Sequence, residues 1–553
     1  MMMRRLLTFG LGTALAISRV NAAPGDAVFD WFEYRGSDPL PAPKADEYAN
    51  PILGGFYPDP SMIRVGRDYY LVNSTFSWFP GIPVFHSRDL VHWTQIGNAI
   101  DRPRQLDFKK LGMSRGVFAP TISHHQGTFR IVNTCVDCGG NFVISARNPA
   151  GPWSDPVWLP QVGGIDPSLF FDDDGRAWIL NNENPQGKEL WDGHRAIWIQ
   201  QFDPKTNTSF GPRRMIIDGG ADPSKKPVWI EGPHLFKHGG YYYLSAAEGG
   251  TGDQHSQVIF RSRDVLGPYV PWAGNPILTQ RDLRPNRNNP ITSTGHASMV
   301  QLPNGDWWSV FLGTRPYEGD YYNTGRETFM LPVTWQDSWP RITGSGQAIP
   351  YTHKRPSLTG SGKPIYARSM TARDEFAGAT LGREWMMMRN PRQRWYALSG
   401  GALRLTPRNV GLGDFGNPSF VARRQQHMYA RASTAVRFSP GSSADRAGLV
   451  AIQNDEYWFA LSVAKGRVML ERRAGPDEPA RGVTIASAPI RTATGAPVYL
   501  RIQGRGGAYD FAYALTPGQW RTLRKGEDGK ILSTKTAGGF VGTLIGPYAY
   551  APR

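Results

Sequence analysis

The sequence predicts an all-β chain, a five-bladed β-propeller followed by a β-sandwich. Three observations carry this. Five segments in the first two-thirds of the chain share one plan, alternating apolar stretches fill the last third, and no long amphipathic helical pattern interrupts either region. The 63 glycines and 45 prolines agree, because they disfavour coiled coils and helical repeats and suit short strands joined by turns. With 553 residues, including 18 Trp, 22 Tyr and 26 Phe, the chain has material for large cores and is not a disordered polymer.

The repeat is the primary signal. YPDPSMIRVGRDYYLVNS (57–74), FAPTISHHQGTFRIVNT (118–134), IDPSLFFDDDGRAWILNN (165–182), IEGPHLFKHGGYYYLSAA (230–247) and GHASMVQLPNGDWWSVFLG (295–313) each run from a small or polar residue and Pro (once Ala) through a short apolar stretch and a Gly turn to an aromatic strand. Each reads as a hairpin. HSRDLVHW (86–93), ISARNPAGPW (144–153) and FRSRDVLGPY (260–269) follow three of them and read as the outer strands of the same unit. Units of about four strands are propeller blades, which close into a ring and leave little edge exposed. Pro-rich sequence marks a linker near 346–369, so the propeller is assigned to 48–345. Beyond 370 the signature stops. STAVRFS, GLVAIQ, YWFALSV, GRVMLERR, PVYLRIQG and YDFAYAL alternate as antiparallel strands do, which assigns 370–553 to the sandwich.

Residues 1–22 read as a secretion signal. Arg4 and Arg5 precede the apolar stretch Leu6 to Ile17, and Asn21-Ala22-Ala23 suits cleavage. A short membrane anchor is the other reading, and a secreted or periplasmic location is expected. The formal net charge is +16, with the basic residues scattered and no nucleic-acid-binding motif among them. Nucleic acid is therefore not an expected partner, and no protein partner is implied. Cys135 and Cys138, the only cysteines, cannot complete a zinc site alone, and in an oxidising compartment they form a local disulfide or stay as buried thiols.

Aligning the five units on Pro60, Pro120, Pro167, Pro233 and Ala297 places Asp59, Ala119, Asp166, Gly232 and His296 at one equivalent position, with Glu231 one residue earlier in the fourth unit. The first strand of each blade lines the central axis, so three carboxylates and an imidazole are expected to converge there. An isolated Asp-Pro opens a turn, and only the coincidence at equivalent positions turns these residues into a catalytic set. Like charges in one site push their pKa values apart, which is what hydrolysis of a glycosidic bond needs: one protonated acid and one charged base or nucleophile. For His296 three readings stay open: a satisfied core histidine, a neighbour of calcium through water, or a hydrogen-bonding partner at the axis. Asp172-Asp173-Asp174-Gly175 resembles part of a calcium loop but falls at a hairpin turn and lacks the other ligands. Phe76, Trp78 and Phe79 follow the first hairpin and can stack on a sugar ring. Arg326 follows the fifth and can bind sugar hydroxyls and lower a neighbouring carboxylate's pKa.

These residues resemble glycoside hydrolase family 43, whose members include β-xylosidases, α-L-arabinofuranosidases and arabinanases. The matching segments are NPILGGFYPDPS (50–61), STFSWFPGIPVFHSRDLVHW (74–93), FAPTIS (118–123), GIDPSLFFDDDG (164–175), EGPHLF (231–236), AEGG (247–250), TGHASMV (294–300) and GRET (325–328). The second domain resembles the concanavalin- or jelly-roll-like accessory sandwich of exo-acting members. The resemblance implies that Asp59 is the general base, Asp166 the carboxylate that tunes pKa and orientation, and Glu231 the general acid. It implies that Arg326 contacts the sugar, that His296 sits centrally, in some members beside calcium, and that Phe540 reaches over the pocket. No cofactor is required by it, and calcium is an option. It further implies inverting, exo-acting release of terminal β-D-xylose or α-L-arabinofuranose from hemicellulose oligosaccharides. An endo-arabinanase and a non-catalytic carbohydrate-binding propeller are the alternatives. Phe118 stands where many members have Trp, and Thr121 where they have a second acid. The stretch TCVDCGGN (134–141) has no tie to the family, and all three departures are expected near the pocket rim and bear on substrate preference.

Overall fold

The computed structural model describes residues 25–552, so the expected signal segment lies outside the described residues. Regular structure among them is almost entirely strand. The one α-helix is the single turn Thr534–Ala537.

Five antiparallel sheets follow one another along the chain. Blade 1 is Ser61–Val65, Asp68–Val72, Gly81–Ser87 and Thr94–Ile100. Blade 2 is Thr121–His125, Thr128–Val136, Gly140–Ala146 and Val157–Trp158, with Gly116–Val117 added to its second strand. Blade 3 is Ile165–Phe171, Ala177–Glu183, Ala196–Asp203 and Thr208–Asp218. Blade 4 is Glu231–His238, Tyr241–Glu248, Ser256–Ser262 and Val270–Pro271, with Leu278–Thr279 on the third strand. Blade 5 is Thr292–Gln301, Trp307–Thr314, Glu327–Gln336 and Trp339–Arg341.

Each blade is covered on both faces by its neighbours, so its second strand reads as an apolar run. Trp307–Thr314 is buried along its whole length. The segments expected to be outer strands instead end the third strand and form the turn after it. Their Asp or Asn makes that turn: Asp89 Oδ1 accepts from the N–H groups of Val91 (3.0 Å) and His92 (2.8 Å), and Asp264 Oδ1 from Leu266 N–H at 2.8 Å. Hydroxyls just past the aligned positions join blades at the axis. Ser61 Oγ accepts from Ile122 N–H (3.2 Å) and Ser298 Oγ from Met62 N–H (3.1 Å).

The C-terminal unit is a sandwich of an eight-stranded and a seven-stranded sheet. The larger sheet contains Ala27–Ser37, which pairs with Tyr429–Arg437 on one side and with Leu403–Leu405 and Ser369–Asp374 on the other. The sandwich thus takes an interior strand of its larger sheet from ahead of the propeller, and the expected span 370–553 is incomplete without it. The smaller sheet shows why GLVAIQ is apolar at every second position on both registers. Ala447, Leu449 and Ala451 face the sandwich core with Phe459 and Leu461, whereas Val450 and Ile452 face outward with Trp458 and Ala460. That outer face meets Phe56, Phe76 and Trp78 of the propeller. Both faces are therefore buried, and the propeller docks on the sandwich through a continuous apolar layer.

Trp78 and Phe79, expected at a sugar-binding pocket, belong to this junction. They pair as a short strand with Met388 and Met387, and both are buried. Charged anchors flank the layer. Arg389 makes a bidentate pair with Asp455 (2.9 and 2.8 Å) and reaches the propeller carbonyl of Leu111 at 2.7 Å. Arg315 of the propeller is fully buried, holding Glu327 through Nε (2.5 Å) and Nη2 (2.8 Å), Asp38 through Nη1 (2.6 Å) and the Gln426 carbonyl at 3.1 Å. It therefore ties blade 5, the segment after Ala27–Ser37 and the sandwich together. Removing one member of such a group strands the other charges in a dry site. Arg315→Ala is expected to lower the unfolding free energy by about 3–5 kcal/mol. Urea denaturation checks this, and an unchanged midpoint contradicts it.

Candidate active site

A bulge builds the site. Asp59, Asp166, Gly232 and His296, four of the five aligned residues, all have left-handed backbone, with φ of 50, 54, 56 and 51°. Pairing of the first strand with the second slips at this point in blades 3, 4 and 5. The left-handed turn aims the side chain at the axis instead of between the blades. Asp and His tolerate it better than most residues, though at a cost of about 1–2 kcal/mol each. In blade 4 the position must be glycine, because a Cβ on Gly232 would lie 2.7 Å from His296 Nε2. The carboxylate is then supplied one residue earlier, by the longer Glu231.

These groups line a cavity of about 390 Å³. Asp59, Asp166, Glu231, His296 and Arg326 line it together with Phe76, Phe118 and Phe540. Phe540 comes from the loop that enters the last strand of the sandwich, and its N–H donates to Ser114 Oγ at 2.8 Å. Its ring stacks on Phe76 at 5.6 Å and meets Phe118 edge-on at 5.7 Å, so three aromatic rings form one wall. Of the expected residues, Trp78, Phe79 and Thr121, the last expected at the rim, are absent from the lining.

The three carboxyls have different surroundings. Asp59 accepts from Arg326 Nη1 at 3.0 Å and from Ser74 Oγ at 2.6 Å, and His296 Nδ1 lies 3.9 Å from it. Burial pushes its pKa up, but Arg326, His296 and the Ser74 hydrogen bond together hold it below the ordinary carboxylate value. Asp166 accepts only the Gly232 N–H, at 3.2 Å, and burial together with the Asp59 charge lifts it to about 6 against the pull of His296. Among the described residues Glu231 has no hydrogen-bond donor to its carboxyl. Burial, then Asp166 and Asp59, raise it well above the ordinary value, with Arg326 opposing. The site therefore holds one carboxylate kept charged and one carboxyl that keeps its proton to higher pH than an ordinary glutamate. That pair can remove a proton at one point and deliver one at another.

Among the described residues no three His, Cys, Asp or Glu side chains are arranged to hold a metal, and the guanidinium of Arg326 occupies the face of Asp59 that a cation would use. The donor set does not fit a directly bound calcium. At the acidic turn, Asp172 is buried and paired with Lys237 Nζ (2.9 Å) and Tyr242 OH (2.8 Å), while Asp173 and Asp174 are exposed. This turn is anchored to blade 4 by its first two residues, since Lys237 Nζ also donates to Asp173 at 2.7 Å.

Arg115, Trp229 and Thr251 also line the cavity, and sequence reasoning missed them. Thr251 Oγ1 accepts from Arg326 Nη1 at 2.9 Å. Trp229 stands two residues before Glu231, with the Arg195 guanidinium 4.2 Å from its ring centre. Its nearness to the Glu231 motif was a usable signal. Arg115 had none.

The family model described as Glycosyl hydrolases family 43 matches residues 48–340, and the Beta xylosidase C-terminal Concanavalin A-like domain matches 373–553. A xylosidase/arabinosidase of Butyrivibrio fibrisolvens is 37% identical over 519 residues, 90% of this chain and 95% of that protein. A non-reducing end alpha-L-arabinofuranosidase of Bacteroides ovatus is 38% identical over 515 residues, 91% of each. The crystal structure of a family 43 protein retrieved from a capybara gut metagenome superposes with a TM-score of 0.89 at 38% identity, covering 95% of this chain and 100% of that one.

The charge balance around Asp59 yields a direct expectation. Arg326→Met removes the principal group that lowers the Asp59 pKa. Burial is then opposed only by His296, the Ser74 hydrogen bond and His255, and the Asp59 pKa should rise from its lowered position. Carboxyl-selective ¹³C NMR titration checks the direction, and a pKa left where it was contradicts it.

Proposed function

The chain belongs to glycosyl hydrolase family 43 and is a glycoside hydrolase, and from that premise we propose that it is an exo-acting, inverting enzyme releasing terminal pentoses from hemicellulose oligosaccharides. The sugars are β-D-xylose, α-L-arabinofuranose or both. The observation that carries the reading is the opposed displacement of two carboxyls in one cavity, Asp59 downward and Glu231 upward.

Each residue's part follows from its surroundings. Asp59, charged and fixed by Arg326 and Ser74, takes a proton from water as the water oxygen attacks the anomeric carbon. Glu231, protonated, gives its proton to the departing glycosidic oxygen as the bond to the anomeric carbon breaks. Asp166 adds negative charge that opposes ionisation of Glu231. Water attack on one face and departure from the other invert the configuration. Arg326 bonds Asp59 and Thr251 through Nη1 and Asp59 again through Nη2 at 3.5 Å, and the second N–H of Nη2 is available to a sugar hydroxyl. The wall of Phe76, Phe118 and Phe540 suits the apolar face of a pentose ring. Exo action is supported by the sandwich's share in the wall: Phe540 lines the cavity beside residues of all five blades. A secreted or periplasmic location is part of the proposal, and the Cys135–Cys138 disulfide suits an oxidising compartment.

Nitrophenyl β-D-xylopyranoside and α-L-arabinofuranoside, assayed side by side, test the sugar. Hydrolysis of either is expected, with single pentoses as the product from oligosaccharides. Release of oligosaccharides from arabinan would replace exo with endo action. The acid role has its own signature. Glu231→Gln should lose about 10²–10⁴-fold in rate on unactivated glycosides and much less on those with a good leaving group. Equal losses on both count against it.

A further inference from the structure

The turn between Cys135 and Cys138 takes no part in this chemistry, yet it leads to the cavity. The two cysteines are disulfide-bonded. Between them Asp137 has left-handed backbone, φ 61°, and its Oδ2 accepts from Arg115 Nε at 2.6 Å. The same turn is paired to the segment bearing Arg115, through Val136 with Gly116 and Cys135 with Val117. On the far side Ser77 Oγ donates to the Arg115 carbonyl at 2.9 Å, and Val117 and Phe76 exchange N–H···O bonds of 2.8 and 3.1 Å. A crosslinked turn, the segment 112–117 and the aromatic wall form one connected piece.

Arg115 lines the cavity at shallow depth. Its side chain is 45% exposed, against 7% for Arg326 and 6% for Asp59. Its Nε is taken by Asp137, and among the described residues its two Nη groups have no partner. The hydrogen bond from Arg115 holds the Asp137 carboxyl below its ordinary value, so it is ionised and offsets the guanidinium charge. Such a pair offers N–H donors with little net charge, which favours neutral hydroxyls over an anionic group. In a pocket that binds the terminal sugar against the buried carboxyls, the sugar that leaves lies at the mouth, at the depth of Arg115.

Resting on the function proposed above, we propose that Arg115 binds hydroxyls of the leaving sugar, the second residue of the oligosaccharide, and that the Cys135–Cys138 disulfide is a positioning device that holds Arg115 there through Asp137. Arg115 is thereby a specificity-determining residue for chains over single glycosides.

The test compares kcat/KM on a pentose disaccharide with kcat/KM on the matching glycosyl fluoride, which has no leaving sugar. Arg115→Ala should lower the ratio of the two by about tenfold, the worth of a hydrogen bond from a charged group. Arg115→Lys should restore part of it. The double variant Cys135→Ser, Cys138→Ser should lower the ratio in the same direction and add nothing in the Arg115→Ala background. Asp137→Asn gives the same reading with the crosslink intact, should the double variant fail to fold. An unchanged ratio in Arg115→Ala overturns the subsite. A double serine variant that loses thermal stability while keeping the ratio assigns the disulfide to folding alone and overturns the clamp. A wild type inactive on both the fluoride and the disaccharide overturns the parent function instead, so the two failures are distinguishable.

Discussion

The pairing of Arg326 with Asp59 is the interaction on which the site depends. Three buried carboxyls meet at the axis, where like charges cannot all ionise. The guanidinium sits against Asp59, bonded at 3.0 Å, whereas burial and the Asp59 charge raise Asp166, and burial with the charges of Asp166 and Asp59 raises Glu231. One cation placed asymmetrically thus separates three chemically similar groups into one carboxyl held low and two raised. The backbone makes the convergence available. The left-handed Asp59, Asp166 and His296 each store about 1–2 kcal/mol, and the ring of blades, with blade 1 tied hydroxyl to amide to blades 2 and 5, holds them there.

The sandwich completes what the propeller begins. It takes a strand from the N-terminal side of the propeller and one apolar sheet face against the propeller's side, so the two units share Ala27–Ser37, the Arg315 cluster and the layer around Trp78. This fixed contact lets a residue as late as Phe540 form part of the cavity wall. A hinge between the units would disperse the three aromatic rings. The apolar layer and the buried charge pairs on either side of it oppose such a hinge.

The propeller was legible because one solution is repeated five times, and aligning the repeats exposed Asp59, Asp166 and His296 together. Glu231 was found one place out of line, and the reason is steric: only glycine fits beside His296. Trp78 and Phe79 were misread because an aromatic pair beside a pocket and an aromatic pair under a neighbouring domain look alike in sequence. Burial against Met387 and Met388 decides between them. The partnership of Ala27–Ser37 with strands near residue 430 was invisible, since pairing across such a separation leaves no local pattern. Arg115 was missed for a similar reason: its place at the cavity mouth comes from Asp137 in a different strand connection, and neither residue lies in a recurrent motif.

The central claim is that Asp59 works ionised and Glu231 works protonated in one cavity. The pH dependence of kcat/KM on an activated pentoside, for wild type and Glu231→Gln, measures it most directly. Activity should be lost on the acid side only as pH falls through the lowered pKa of Asp59, below the ordinary carboxylate range. It should be lost on the alkaline side as pH rises through the raised pKa of Glu231, and that alkaline limb should disappear in Glu231→Gln. An alkaline limb that persists unchanged in Glu231→Gln, or an acid limb lying above the ordinary carboxylate range in wild type, contradicts the account.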